Sequence, residues 1–195
     1  IPEYATTYYA AQKIGAIPVA INSIFRSGEV EYLLQDSGAV VVFTVAELVP
    51  FVPRDACPAV AHVVVCEGEA APGTETLEQW CAGQPATFDP VERAPDDPAA
   101  LLYSSGTTGF PKGVTLTQSN VSTNAASAAK YSGYREDDRL CVFLPLFHVY
   151  GQNYILNAAI HAGSTICLFR RFVPETVLES IERDRITLFF GVPTI

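Results

Sequence analysis

Methionine is absent from the 195 residues, so Ile1 is not expected to be a translation start, and the sequence is read as a piece of a longer polypeptide, incomplete at both ends. Basic residues are scarce: 12 Lys and Arg stand against 21 Asp and Glu, for a net charge of −9, and no basic cluster exceeds the pair Arg170-Arg171. That balance argues against nonspecific nucleic-acid binding. The five cysteines, at 57, 66, 81, 141 and 167, are odd in number and widely spaced, with no C-x-x-C pair and no histidine at metal spacing. Neither a disulfide framework nor a zinc site fits; buried free thiols in a reducing, cytoplasmic compartment do. Long apolar runs are missing too. The longest, Ala39 to Phe51, is interrupted by Glu47 and falls short of the ~18 residues of a membrane span, and no secretory segment is visible.

Hydrophobic residues make up 49% of the chain, enough for a sizeable core. Pro2, Glu3 and the recurrence of Tyr4, Tyr8 and Ala11 predict a helix ending at Gly15, followed by a short apolar strand, Ala16 to Ile21, whose Pro18 suggests a sheet edge. Ser27 offers an N-cap for a helix carrying Val30, Leu33 and Leu34 to Gly38, and Ala39 to Thr44 reads as a buried strand. The alternation continues with a helix near Val45 to Phe51, a strand at His62 to Cys66 and a helix at Glu75 to Ala82. Such an order predicts an α/β fold with mostly parallel sheets layered with helices. His62 beside valines reads as a structural histidine near a sheet edge, and Trp80 has core spacing from Leu77.

The proline- and acid-rich stretch 89–99 has no apolar period and reads as a linker between two α/β subdomains, 1–88 and 100–195. Asp96-Asp97 between prolines reads as a solvated turn rather than a metal site. Further on, a helix over Gln118 to Tyr131 capped by Thr117, with small residues for close packing on a sheet, precedes a buried strand at Leu140 to Leu144. A helix from Gln152 to Ile160, strands at Gly163 to Leu168 and Ile186 to Phe190, and a helix from Pro174 to Arg183 complete the pattern. Arg170-Arg171 at a strand end could meet a phosphate, for example on CoA, or form a solvated turn. There is no internal repeat.

The most informative stretch, Leu101 to Thr117, reads LLYSSGTTGFPKGVTLT: a buried strand, six consecutive small residues (Ser104 to Gly109), then Lys112 and a second strand from Val114. Glycines at 106, 109 and 113 can take φ > 0 and turn successive N–H groups towards one point, while hydroxyls and one ammonium complete a cradle for a polyphosphate. It is not the P-loop of nucleotide triphosphatases. Pro111 precedes Lys112 where that motif needs Gly, Gly113 follows it where a Ser or Thr is needed, and the β-branched run after it favours a strand over a helix. A ligandless hairpin accounts for the glycines, but ten residues from Ser104 to Gly113 exceed the usual hairpin loop and leave the lysine unexplained.

A second place presents chemistry. Pro145-Leu146-Phe147-His148-Val149-Tyr150-Gly151 follows a strand end and places a histidine between two aromatics at the mouth of a helix. Alone, His148 reads as an aromatic-packed structural residue; in a doubly wound sheet, however, ligands collect beyond the carboxyl ends of strands, and the glycine-rich loop also follows one.

Ser104 through Val114 (SSGTTGFPKGV) resembles, over its full length, the signature loop of the adenylate-forming, AMP-binding superfamily of acyl-CoA synthetases, luciferase-type enzymes and adenylation domains. Pro-Leu-Phe-His-x-x-Gly resembles a second block of the same superfamily. The resemblance implies part of the αβαβα N-terminal domain of an acyl-CoA synthetase, with Ser104, Ser105, Gly106, Thr107, Thr108, Gly109 and Lys112 on the β- and γ-phosphates of ATP. It implies Mg²⁺ carried by ATP, with Ser104 or Thr108 as protein-side ligand. His148, Tyr150 and Gly151 would line the junction of acyl pocket and adenylate, with Asn153 a further wall residue. The family often has a histidine where this chain has Gln118, so a proton-handling role does not carry over there.

The implied activity of the parent is ATP-dependent ligation of a carboxylic acid to CoA through acyl-AMP, with a homodimer expected for the full-length enzyme. The segments Asn22 to Gly38 and Asn157 to Phe172 resemble bacterial long-chain fatty-acid ligases most; an aryl-acid (coumarate-type) ligase or a carrier-loading adenylation domain are the alternatives. The family's Tyr-Gly-x-Thr-Glu segment, ribose-binding aspartate and lysine-bearing C-terminal domain do not occur in the 195 residues, so the piece alone is expected to be inactive. A non-catalytic phosphate-binding module and an ATP-hydrolysing enzyme remain the readings from other classes.

Overall fold

A computed structural model describes residues 1–104 and 110–193. In chain order its regular elements are α1 (Pro2–Lys13), β1 (Val19–Ala20), α2 (Ser27–Ser37), β2 (Val41–Val45), β3 (His62–Glu67), β4 (Glu75–Thr76), α3 (Leu77–Cys81), β5 (Pro98–Ser104) and β6 (Lys112–Thr117). They continue with α4 (Gln118–Ser132), β7 (Arg139–Val142), a π-helix (Tyr150–Asn157), α5 (Ala158–Ala162), β8 (Thr165–Leu168), α6 (Pro174–Arg183) and β9 (Leu188–Phe189). Contacts divide the chain into two compact units: residues 10–92 with 100–115, and residues 1–9 with 93–99 and 116–195.

In the first unit, β3 is the centre of a sheet ordered β2-β3-β4, both pairings parallel. Its Val63, Val64 and Val65 are fully buried, each contributing roughly 1.5–3 kcal/mol. Helix α2 sets Val30 and Leu34 into the same core with Cys57, Val60 and Val63. The helix begins one residue earlier than the Ser27 N-cap predicted: Arg26 is the cap, and its backbone N–H donates to the Glu29 carboxylate at 3.1 Å. Gly38 ends it at φ +64°, a left-handed conformation that costs glycine least. Two expected helices differ. Residues Ala46–Phe51 form a 3₁₀ turn, because Pro50 cannot donate to an α-helical ladder, and Glu75-Thr76 pair as a strand before Thr76 caps α3 by accepting from the Gln79 N–H.

His62 lies on the central strand rather than at a sheet edge, but its structural reading stands. Its Nδ1 meets the Glu75 carboxylate at 2.8 Å, and its ring packs 4.9 Å from Trp80. A second sheet, ordered β1-β5-β6, has β1 at its edge as Pro18 suggested, parallel to β5 in the register Val19 to Leu101.

In the second unit the sheet is β8-β7-β9, again parallel, with Cys141 opposite both Cys167 and Phe189. Central β7 is wholly buried from Leu140 to Val142, and burial continues through Phe143 and Leu144. Asp138, just before β7, is itself buried: its carboxylate accepts from the Arg135 N–H and the Thr187 hydroxyl, both at 2.7 Å, fixing the start of β7. Thr117 caps α4 as predicted, in a reciprocal pair with Asn120. The small residues of α4 pack against α5 and the π-helix, and Ala128 and Ala129 join the core cluster that holds Leu140, Cys141 and Val142 of β7. Asp97 accepts from the Ala94 N–H at 2.8 Å and pairs with Arg93 at 3.1 Å, the turn role expected of it. All five cysteines are free, yet only Cys57 and Cys141 are buried; Cys81 is exposed. No helix among the described residues is long and apolar enough to cross a membrane.

Candidate active site

Strand β5 delivers Ser104 to the exposed end of its sheet, and β6 takes the chain back at Lys112, two residues sooner than the strand predicted from Val114. Ser105, Gly106, Thr107, Thr108 and Gly109 lie outside the described residues. Gly113 does not use its freedom to take positive φ. It sits inside β6, where a Cβ would meet Leu101 Cδ1 at 3.2 Å, so what glycine supplies there is space.

The flanks of the loop are tied to α2. Tyr32 donates from its hydroxyl to the Pro111 carbonyl at 3.0 Å, and its ring stacks on Phe110 at 5.0 Å. One turn later on the helix, Asp36 accepts from the Tyr103 hydroxyl at 2.6 Å. Burial, then the Asp36 carboxylate, push the Tyr103 phenol well above its ordinary value, so it stays a hydrogen-bond donor. Lys112 lies on the wall of an open groove of about 620 Å³ bounded by Tyr32, Asp36, Phe110 and Thr115. An exposed hydroxyl at one strand end and an exposed ammonium at the next suit a phosphate chain and the Mg²⁺ it carries.

In the second unit, buried β7 runs out through Leu144 into Pro145, whose carbonyl accepts from the His148 N–H at 3.2 Å. His148 is exposed. Its Nδ1 accepts from the Tyr150 N–H at 3.2 Å, which in the neutral ring leaves the proton on Nε2 and turns a donor outward. Gly151 is buried against the Pro145 carbonyl, where no Cβ would fit. Tyr150 stacks on Tyr154 at 5.2 Å; the Tyr154 hydroxyl shares a hydrogen with Ser132 at 2.7 Å, and its carbonyl accepts from Tyr134 at 3.1 Å.

The helix expected from Gln152 is π-helical over Tyr150–Asn157, becoming α-helical only at Ala158. Its buried residues include three amides beside Ile155 and Leu156. Asn153, expected as a wall residue, is buried and accepts from Asn157 at 3.0 Å, while Gln152 and Asn157 accept from Tyr4 at 2.7 Å and Tyr9 at 2.6 Å. The apolar pattern of the sequence gave no warning of these amides. A tyrosine-rich first helix and three amides within six residues were the available signal.

Arg170 and Arg171 are both exposed in the bend after β8. No group of three or more His, Cys, Asp or Glu able to hold a metal ion occurs among the described residues.

A family model described as "AMP-binding enzyme" matches residues 1–195. The chain is 34% identical to 4-coumarate–CoA ligase 3 of Oryza sativa subsp. japonica, over 100% of this chain and 35% of the relative. It is also 34% identical to benzoate–CoA ligase of Thauera aromatica, over 99% of this chain and 37% of the relative. Among solved structures, the anthranilate CoA ligase AuaEII in complex with anthranoyl-AMP superposes with a TM-score of 0.91 at 30% identity, over 100% of this chain and 38% of the other. The chain thus spans little more than a third of the length of the relatives it matches. With the signature loop flanked by Ser104 and Lys112 and a match along its whole length, the chain belongs to the AMP-binding enzyme family.

Proposed function

We propose that the full-length protein is an ATP-dependent acid:CoA ligase. The observation that carries this reading is the phosphate loop delivered between β5 and β6, with Lys112 at the strand start, in a chain whose family match runs end to end. A carboxylate oxygen of the acid attacks the α-phosphorus of ATP, the bond from that phosphorus to the bridging oxygen breaks, and pyrophosphate leaves with the electron pair. The thiolate of CoA then attacks the acyl carbon and AMP departs. A carboxylate is already ionised at neutral pH, so the first step needs no general base; it needs alignment and stabilisation of phosphoryl charge.

Within that scheme Ser104 and Lys112, with the loop between them, hold the β- and γ-phosphates, and His148, Tyr150 and Gly151 face the acyl carboxylate. The Ser104 or Thr108 hydroxyl would be the protein-side ligand of a Mg²⁺ carried by ATP, which would supply further neutralisation of phosphoryl charge. For the acid, an aromatic substrate is favoured over the long-chain fatty acid expected from sequence, because the relatives cited above are named for coumarate, benzoate and anthranilate. The isolated 195-residue chain is proposed to form no acyl-adenylate, since it lacks the Tyr-Gly-x-Thr-Glu segment. Five free cysteines favour a reducing, cytoplasmic setting.

Product identity tests the reading. The full-length protein incubated with ATP, CoA and a panel of coumarate, benzoate, anthranilate and palmitate should release AMP and pyrophosphate only when a suitable acid is present. Release of ADP and phosphate, or no acid dependence, would overturn it. Preference for palmitate would restore the fatty-acid assignment.

A further inference from the structure

Helix α2 reaches the backbone on both sides of Lys112. On the N-terminal side the Tyr32 hydroxyl donates to the Pro111 carbonyl at 3.0 Å. That carbonyl and the Lys112 nitrogen belong to one planar peptide unit, and the proline ring fixes φ just before it. Holding the carbonyl oxygen therefore holds the plane from which Lys112 departs. On the C-terminal side the contact runs through Tyr103. Its ring lies over Gly113, with Cε1 and Cζ 3.5 Å from where a Cβ would stand, and its hydroxyl donates to Asp36 at 2.6 Å. Tyr32 and Asp36 are four residues apart on α2, about 40° around the helix, so one helix face serves both sides.

Packing alone does not call for these polar groups. The Tyr32 ring stacks on Phe110 at 5.0 Å with or without its hydroxyl. Asp36 is exposed, outside the core formed by Val30, Leu33 and Leu34 of the same helix. What the hydroxyl and the carboxylate add is direction. A lysine carries its charge on a flexible four-carbon stem, so its ammonium meets a fixed anion reliably only from a backbone that is itself fixed. Asp36 also lines the groove beside Lys112, yet among the described residues Lys112 takes part in no ion pair. With its carboxylate bonded to Tyr103, Asp36 steadies the loop end and leaves the ammonium open to a phosphate.

We propose that Tyr32 and Asp36 are positioning residues: from one face of α2 they hold the backbone before and after Lys112, and so set where its ammonium stands for the phosphates of ATP. The hold on the backbone follows from geometry alone; its effect on turnover rests on the acid:CoA ligase reading.

The test uses the full-length protein with Tyr32→Phe, which removes the hydroxyl and keeps the ring on Phe110, alone and combined with Lys112→Ala. Alone, Tyr32→Phe should lower kcat for acid-dependent pyrophosphate release about tenfold, within the loss that a misplaced group causes. In the Lys112→Ala background the same substitution should change kcat by less than about twofold, because no ammonium is left to misplace. Equal losses in both backgrounds would show that Tyr32 acts on the fold rather than through Lys112, and no loss in the first would show that it does not act; either overturns the proposal. Asp36→Ala should behave as Tyr32→Phe does. Asp36→Asn, whose amide oxygen still accepts from Tyr103, should return kcat to within about threefold of the parent. An Asp36→Asn protein as impaired as Asp36→Ala would overturn the hydrogen-bonding role of Asp36. A crystal structure of Tyr32→Phe should have the Lys112 backbone displaced relative to β5 by about 0.5 Å or more, the tolerance of a preorganised site, and an unmoved Lys112 would overturn the proposal equally. If the unsubstituted protein activates no acid, the functional reading fails, and the crystal structure alone decides whether α2 positions Lys112.

Discussion

Gly151 is packed so closely against the carbonyl oxygen of Pro145 that a Cβ on it would overlap that oxygen and the carbonyl carbon behind it. Backbone, not a flexible side chain, stands in the way. Gly151→Ala must therefore push the helix start away from the strand end, at about 1–3 kcal/mol. Thermal denaturation should register a fall of several degrees in Tm; an unchanged Tm would mean that the turn has room that the structure does not show.

Lys112 opens β6 with its side chain exposed beside the groove next to Tyr32 and Asp36. Replacing it with alanine removes the loop's one cation without touching the core. Turnover by the full-length protein should fall roughly 10²-fold, the scale for losing one charge-stabilising donor. Stability should stay within about 0.5 kcal/mol, as expected for an exposed surface site. Unimpaired acid-dependent pyrophosphate release by Lys112→Ala would remove it from the phosphate site.

How much of this was legible in the sequence depends on what kind of signal each feature leaves. Thr117 with Asn120, Gly38 and Pro174 are local chemistry, and the helix ends fall where those residues put them. The phosphate loop is legible because its composition is unusual. The π-helix is not, because Ile155, Leu156, Ala158 and Ala159 satisfy an α-helical apolar pattern, while the partners of Gln152 and Asn157, Tyr4 and Tyr9, lie almost 150 positions away. Glu75 departs from its expected helix for a similar reason. Its strand pairing with Val64 and its contact with His62 are tertiary, while its own neighbourhood favours a helix.

The thiols give a prediction that is independent of function. Burial, with Cys167 nearby, pushes the Cys141 thiol up to about 11, and burial together with Glu31 raises that of Cys57, whereas Cys81 is exposed. The thiolate is the reactive species, so native protein treated with iodoacetamide near pH 8 should be alkylated first at Cys81, with Cys57 and Cys141 protected until unfolding. Mass spectrometry of the peptides reads the order directly. Early modification of Cys141 would mean that β7 is more open than its complete burial implies.

Asp184 closes α6 and provides a pH dependence whose sign can be fixed in advance. Its carboxylate accepts from the Arg183 guanidinium at 2.6 Å and from the Ser180 hydroxyl at 2.5 Å, and these bonds hold its pKa at about 2, below the ordinary 3.8. A depressed carboxylate contributes stability that is fully present above its unfolded value and is lost as pH falls through the folded one. Asp184→Asn should therefore be less stable than the parent at pH 6, with the gap closing between roughly pH 4 and pH 2. Because the pair is at the surface, salt should narrow the same gap at pH 6. Urea denaturation across that range measures it. A gap that persists unchanged to pH 2 would show that Asp184 acts through shape and neutral hydrogen bonds, and that the charge of Arg183 contributes nothing to holding the end of the helix.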